Sequence, residues 1–262
     1  MSNLFGNLKT EGLEAVTDRV GGEFSFDTDV YKAKVKVAYL GKSVKGANFL
    51  GLTFLMPDGR EYNEDVYFTN RDGDNFYVVK KDGKPTDKKA PLPGFTLVND
   101  LLLVTTGKQL SELTSDDVEE RVIKLYDRNE KKEMPTKVNM VASLLDAEVG
   151  IAVQKSEETQ MEKDSEGAYT IPTDKSRFTN NIEKVLVPAS LHTVSEATNG
   201  NDAEWATKWV LKNKGTIRDK KYKGNAAVKS GMPGRAPAAG GIAPQQTGAA
   251  PARTSLFPGR KS

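Results

Sequence analysis

Lys32, Lys34 and Lys36 occupy every second position of an alternating stretch. On a strand such side chains share one side, roughly 6.5–7 Å apart. That spacing is similar to the phosphate repeat of an extended polynucleotide. The chemistry it offers is phosphate neutralisation; the plainer reading is a solvated strand face. Aromatic residues follow at Tyr62, Tyr67, Phe68, Phe76 and Tyr77. Half of these must enter a core, and Phe68 and Phe76 are the expected core members. Tyr67 and Tyr77 are then expected on the opposite face, where a phenol can stack and still reach water. A groove for single strands needs cations for phosphates and aromatic faces for bases. The basic run Lys80, Lys81, Lys84, Lys88 and Lys89 lies beside that face, or is simply a solvated loop. The candidate DNA-binding set is Lys32, Lys34, Lys36, Tyr39, Tyr67, Tyr77, Lys80 and Lys81. Trp205 and Trp209, four residues apart, are read as packing anchors.

Other chemistries find little support. The 262-residue chain has no cysteine and one histidine, His192. Disulfides, thiolate metal sites, a cysteine nucleophile and any two-histidine design are excluded. There is no Walker A loop, dinucleotide fingerprint, zincin helix or nucleophile elbow. Asp116-Asp117 and Glu157-Glu158 are adjacent pairs in polar stretches and are read as solvated surface. His192 is read as structural or exposed, just before a helix N-cap at Thr193 or Ser195. A non-enzymatic protein without metal or cofactor is expected. No apolar run approaches the roughly 20 residues that span a bilayer, and Met1–Glu11 lacks the apolar stretch of a signal peptide. No membrane association is expected.

The elements that would position the candidate residues follow from periodicity. Tyr31, Ala33, Val35, Val37 and Tyr39 alternate with the lysines and define a first strand with two faces. Asn48–Met56, Arg60–Thr69 and Asn75–Lys80 follow as strands. Pro57-Asp58-Gly59 and Asn70–Asp74 supply the turns. Together they predict a four-stranded antiparallel meander. Lys81–Lys89 reads as a polar loop, and Phe95–Val104 as a helix ended by Gly107. Glu120–Tyr126 reads as a strand, Val138–Leu145 as a short helix and Val149–Gln154 as a strand. A polar hairpin or flap runs on to about Tyr169. Ile182–Val187 is the last strand, and Asp202–Asn213 a helix with acids first and lysines last. The fold class expected is mainly β (α+β). It is an OB-like antiparallel barrel with capping helices, although a β-sandwich gives similar signals.

Charge divides the chain. Lys214–Ser262 holds ten basic residues and one acid, a net +9, which leaves −7 on residues 1–213 of a +2 chain. From about Gly224 onward Gly, Ala, Pro and Gln dominate without a hydrophobic period, a composition that cannot offset its own chain entropy. The expected organisation is an N-terminal arm at 1–23, an OB-like DNA-binding body at 24–213 and a disordered basic tail at 214–262. The tail closes on Leu256, Phe257, Arg260 and Lys261, which read as a short partner-binding motif. Any DNA groove on an acidic body must be a local segregation of lysines.

Several segments carry a resemblance. They are Met1–Leu8, Tyr67-Phe68-Thr69-Asn70 before a turn into Asn75-Phe76-Tyr77, Pro91–Phe95, and Trp209–Asn213 running into Lys214–Lys220. Together they resemble single-stranded-DNA-binding proteins of short-tailed bacteriophages that carry a virion RNA polymerase. The resemblance covers most of the body and the start of the tail. It implies action in DNA replication and recombination in the cytoplasm of the infected bacterial host. It also implies transcription activation with the phage polymerase and recruitment of host RNA polymerase through a basic C-terminus, a character that Arg260-Lys261 matches. The implied partners are single-stranded DNA, phage or host RNA polymerase and replication proteins. Many single-strand binders end in an acidic tail, and this chain departs from them. The competing expectations are a transcription cofactor with weak DNA binding and a non-catalytic structural phage protein. Oligomeric state and the choice between DNA and RNA stay open.

Overall fold

The protein's structure, a computed structural model, describes residues 25–127, 130, 132–165 and 169–222. Its spine is β1 (Asp29–Lys42), a 14-residue strand shared by several neighbours. On one edge β1 pairs antiparallel with β2 (Asn48–Leu55), which pairs in turn with β3 (Glu61–Tyr67). On the other edge its first half pairs with β8 (Glu148–Lys163). Beyond that point Tyr39 and Leu40 meet β7 (Lys132–Val141), which forms a ribbon with β6 (Val118–Asp127). β9 (Tyr169–Leu186) pairs with β8 as a long hairpin, and β10 (Ile217–Lys220) runs parallel to β8. These eight strands form one sheet. β4 (Phe76–Lys81) and β5 (Lys84–Pro91) form a separate two-stranded ribbon. The protein is mainly β, with helices α1 (Pro93–Thr106), α2 (Val194–Asn199) and α3 (Glu204–Asn213).

Apolar alternation explains the inner face. Leu50, Leu52 and Phe54 of β2, Tyr62 and Val66 of β3, and Val149, Ile151 and Val153 of β8 are buried together. The helix α1 adds Val98, Leu101 and Leu102 to that core. Pro93 sits at its start, where the missing N–H costs nothing. Gly107 ends it in the left-handed conformation, its N–H donating to the Leu103 carbonyl. Among the described residues no helix is long and apolar enough to cross a membrane.

The structure corrects several expectations. The meander has three strands, not four, because β4 leaves the sheet and pairs with Lys84–Pro91, the segment read as a polar loop. The signal was Asp82-Gly83, whose φ of 52° and 79° make the tight hairpin turn that favours this dipeptide. Phe76 is consequently half-exposed beneath Lys89 rather than in the core, whereas Phe68 packs partly buried against the core. Val138–Leu145 is the end of β7 followed by a single 3₁₀ turn at Ala142–Leu144, because β6 supplies a pairing edge that a short apolar run cannot declare. The segment read as Ile182–Val187 is the end of β9, which stops at Leu186, and a further strand, β10, lies within the segment assigned to the tail.

In the strand order β3-β2-β1-β8-β9, the two outer strands approach each other without a backbone ladder. A side chain bridges them. The Glu64 carboxylate on β3 accepts from the Ile182 backbone N–H on β9 at 3.0 Å and from the Tyr62 hydroxyl. Burial pushes the Glu64 carboxyl up to about 7, against the two donors that favour its ionised form. In the unfolded chain it returns to its ordinary value of 4.5. The native state therefore holds this proton more tightly. Its contribution to stability is full below about pH 4.5 and declines as pH rises toward 7. Glu64→Gln keeps an acceptor for Ile182 but cannot ionise. Urea unfolding at pH 5 and pH 8 is expected to show the variant gaining about 2–3 kcal/mol on the parent between the two. Parallel pH profiles would rule this out.

Candidate nucleic-acid interface

Tyr39, Phe49 and Tyr67 meet on the outer face of β1–β3. Their meeting depends on an irregularity in β1. Val35 pairs with Phe54 but Val37 pairs with Thr53, so Lys36 is an extra residue in a β-bulge. Before it Ala33 and Val35 point into the core; after it Ala38 does. Tyr39 thereby changes sides and joins the solvent face. This corrects the expectation of one continuous face from Tyr31 to Tyr39.

The hairpin register then lays the rings down. Tyr39 pairs with Gly51, and Gly41 pairs with Phe49. A Cβ added at Gly51 would fall 2.3 Å from the Tyr39 ring, and one at Gly41 would fall 2.2 Å from the Phe49 ring. Each ring therefore lies across the glycine opposite it and shields that backbone. Phe49 is 6.0 Å from Tyr39 edge-on, and 5.3 Å from Tyr67, which it also pairs across β2–β3. The result is a contiguous aromatic platform, with Tyr67 46% exposed.

The β6–β7 ribbon rises beside this platform from its junction at Tyr39 and Met140. Between them is a cleft of about 430 Å³. Tyr39, Gly41 and Phe49 line one wall, and Leu125, Thr136 and Val138 the other. Lys42 and Lys137 also line it; Lys137 pairs with Glu120 at 2.9 Å. Asp65 lies directly across from Gly51 on the outer face of β3. Burial first, then the charges of Asp65 and Tyr67, raise the Tyr39 phenol above its usual range. A flat base could stack here, with polar groups at its rim.

The other candidate residues lie elsewhere. Lys32 and Lys34 face outward at the far end of β1, and Lys34 is five residues, about 16 Å, from Tyr39. Lys34 faces Glu148 at 3.6 Å and Lys36 pairs with Glu61, so both are partly neutralised. Tyr77, Lys80 and Lys81 belong to the β4–β5 ribbon, which is not paired with the sheet that carries Tyr39 and Tyr67. That ribbon is itself basic, with five lysines against two aspartates. Trp205 and Trp209 stack at 5.8 Å on α3, each half-exposed. Thr193 is the N-cap of α2, with Glu196 closing the capping box beside His192. Among the described residues no three acidic or histidine side chains group as a metal site.

The described start of the tail is bound to the body. Lys214, Arg218, Lys220 and Lys221 pair with Asp29, Glu183, Glu158 and Glu157. Residues 223–262 keep six basic residues and no acid. Leu256, Phe257, Arg260 and Lys261, the N-terminal arm and the remaining tail lie outside the described residues.

Sequence reasoning missed Phe49, Gly41, Gly51 and the β6–β7 wall. The reciprocal Tyr39-x-Gly41 and Phe49-x-Gly51 was the available signal. No protein-family model matches the chain, and no curated protein matches it.

Gly51→Ala tests the platform directly. The added methyl meets the far end of a movable ring, so Tyr39 is expected to swing off the sheet. Tyrosine near-UV dichroism should change while urea stability falls by less than about 1 kcal/mol, since a partly exposed ring relaxes more easily than a packed core. An unchanged aromatic signal would contradict the geometry.

Proposed function

We propose that this protein binds single-stranded DNA in the cleft between the β1–β3 platform and the β6–β7 ribbon. Bases stack on Tyr39, Phe49 and Tyr67, and the phosphates run past the cleft-lining lysines. The observation that carries the reading is the pair of rings laid over glycines. A contiguous, sheet-supported set of ring faces accepts any base and excludes little by shape. The strand order β3-β2-β1-β8-β9, with α1 between β3 and β8, supports an OB-like fold. In that fold the face of strands 2 and 3 is the usual oligonucleotide surface. The basic β4–β5 ribbon, with Tyr77, Lys80 and Lys81, is assigned a secondary phosphate contact.

The biological role follows the phage resemblance. The protein serves replication and recombination as a non-catalytic strand binder. It activates transcription by contacting RNA polymerase through Leu256, Phe257, Arg260 and Lys261. Six cations beyond residue 222, with no acid among them, support a role for the tail distinct from that of the body.

Fluorescence anisotropy with single- and double-stranded oligonucleotides at two salt concentrations tests the reading. A single-strand preference at low salt is expected. Phe49→Ala should weaken single-strand binding by about 1–3 kcal/mol, and Tyr77→Ala by less. No strand preference, or equal losses at both positions, would sink the platform assignment. Truncation at Gly224 should retain DNA binding and lose transcription activation.

A further inference from the structure

The β4–β5 ribbon adds little to the fold that carries it. None of its residues enters the core, and beyond their own hairpin neither strand makes an extensive contact with another element. Its charge works against it. Lys81 is directly opposite Lys84 across the hairpin, and like charges so placed are destabilising. Lys80, Lys81, Lys84, Lys88 and Lys89 have no carboxylate partner among the described residues. Lysines elsewhere on the body do, among them Lys34, Lys36 and Lys137. A ribbon that leaves its cations unneutralised on an acidic body is suited to a polyanion from outside the chain.

Length decides which phosphates these cations suit. The six residues of β4 span roughly 20 Å. Over that distance an extended single strand, with a repeat of roughly 6.5–7 Å, presents about three phosphates, fewer than the five lysines. A duplex presents about twelve on its two strands, at one per roughly 1.7 Å of axis. A duplex also keeps its bases stacked internally, so it needs cations without a ring platform, and its major groove admits a two-stranded ribbon. The ribbon is rooted beside the platform. The Leu92 N–H donates to the Asn75 carbonyl at 2.9 Å and closes its base. Gly94, two residues on, lies against the carbonyl of Tyr67 at the end of β3.

We propose that the β4–β5 ribbon is a duplex-binding arm, so that the protein prefers the junction between single- and double-stranded DNA to either alone. The inference rests on the platform reading above and names a duplex backbone as the ligand of the secondary phosphate contact.

The test uses the full-length protein and labelled DNAs: oligo-dT, a blunt duplex, and hairpin duplexes carrying the same oligo-dT at the 5′ or the 3′ end. The parent is expected to bind one junction most tightly, oligo-dT next and the blunt duplex least. Lys81→Gln/Lys84→Gln/Lys88→Gln should retain oligo-dT binding, which shows that it is folded, and lose the junction advantage. Its slope of log affinity on log salt for the junction should be shallower by up to about 2.7, for three phosphate contacts at about 0.9 each. Removing the same charge elsewhere, in Lys163→Gln/Lys175→Gln/Lys212→Gln, should leave the advantage in place. A parent that binds neither junction more tightly than oligo-dT would overturn the proposal. So would an advantage that survives in the ribbon variant, or that falls equally in both triple variants. Equal loss of oligo-dT and junction in the ribbon variant would return the ribbon to the single strand and overturn it too. Phe49→Ala separates the two readings. Unchanged oligo-dT affinity in that variant removes the platform, whereas an unchanged junction advantage in the ribbon variant removes the duplex arm alone.

Discussion

The bulge at Lys36 is the constraint on which the outer face of this protein depends. A regular β1 would keep Tyr39 in phase with Ala33 and Val35 and send it into the core. One extra residue reverses the phase for the rest of the strand. Ala38 then fills the inner position, and its small side chain suits a crowded interior. Tyr39 emerges beside β2, where Gly51 gives it a bed. The same bulge separates two chemistries on one strand. Lysines occupy the outer face before it, and an aromatic residue and a glycine occupy it afterwards. Lys36 itself reaches Glu61 across the sheet. The cationic row and the aromatic platform are therefore successive segments of β1, rather than one mixed groove.

Charge is organised by the same economy of space. The acidic body seemed to require segregated lysines, with all net positive charge in the tail. The structure divides that tail in two. Its first cations lie along β10 and its flanks, opposite Asp29, Glu183, Glu158 and Glu157. These pairs are at most partly buried and remain in contact with solvent, so each is worth little alone. Their number, together with the parallel ladder to β8, gives the strand a defined seat. The charge left to the rest of the tail is then the six basic residues beyond residue 222, rather than the ten of the whole segment from 214.

Much of the fold was legible because its inner faces alternate cleanly. β1, β2, β3, β8 and α1 all announce themselves by period. The errors fall where tertiary pairing decides. Val138–Leu145 has apolar residues at spacings that suit a helix, and only the presence of β6 makes it a strand. Lys84–Pro91 has almost no strand-forming side chains, and its pairing is imposed by the Asp82-Gly83 turn. The platform was half legible. Tyr39 and Tyr67 were named for their chemistry, but their partner Phe49 was not. A five-residue connection from Ser43 to Ala47 places Lys42 opposite Asn48. Counting back from that pair brings Phe49 opposite Gly41 and Gly51 opposite Tyr39. The register was thus recoverable from the hairpin, whereas the bulge that turns Tyr39 outward was not.

β3 is the end of the strand order and carries both a buried row and an outer row. Its inner row is Tyr62, Glu64 and Val66; its outer row is Asn63, Asp65 and Tyr67. On one edge it is laddered to β2, and on the other the Glu64 carboxylate reaches β9. The start of α1 supports its end, where Gly94 lies so close to the Tyr67 carbonyl that a Cβ would fall 2.0 Å from it. Adjacent acids on this strand therefore do opposite work. Glu64 faces inward between β3 and β9, and desolvation there raises its pKa. Asp65 belongs to the exposed outer row beside the platform. The β2 ladder sets Tyr67 opposite Phe49, while the Glu64 bridge and the α1 contact support the other edge and the end of the same strand, so three different elements hold the β3 side of the aromatic platform.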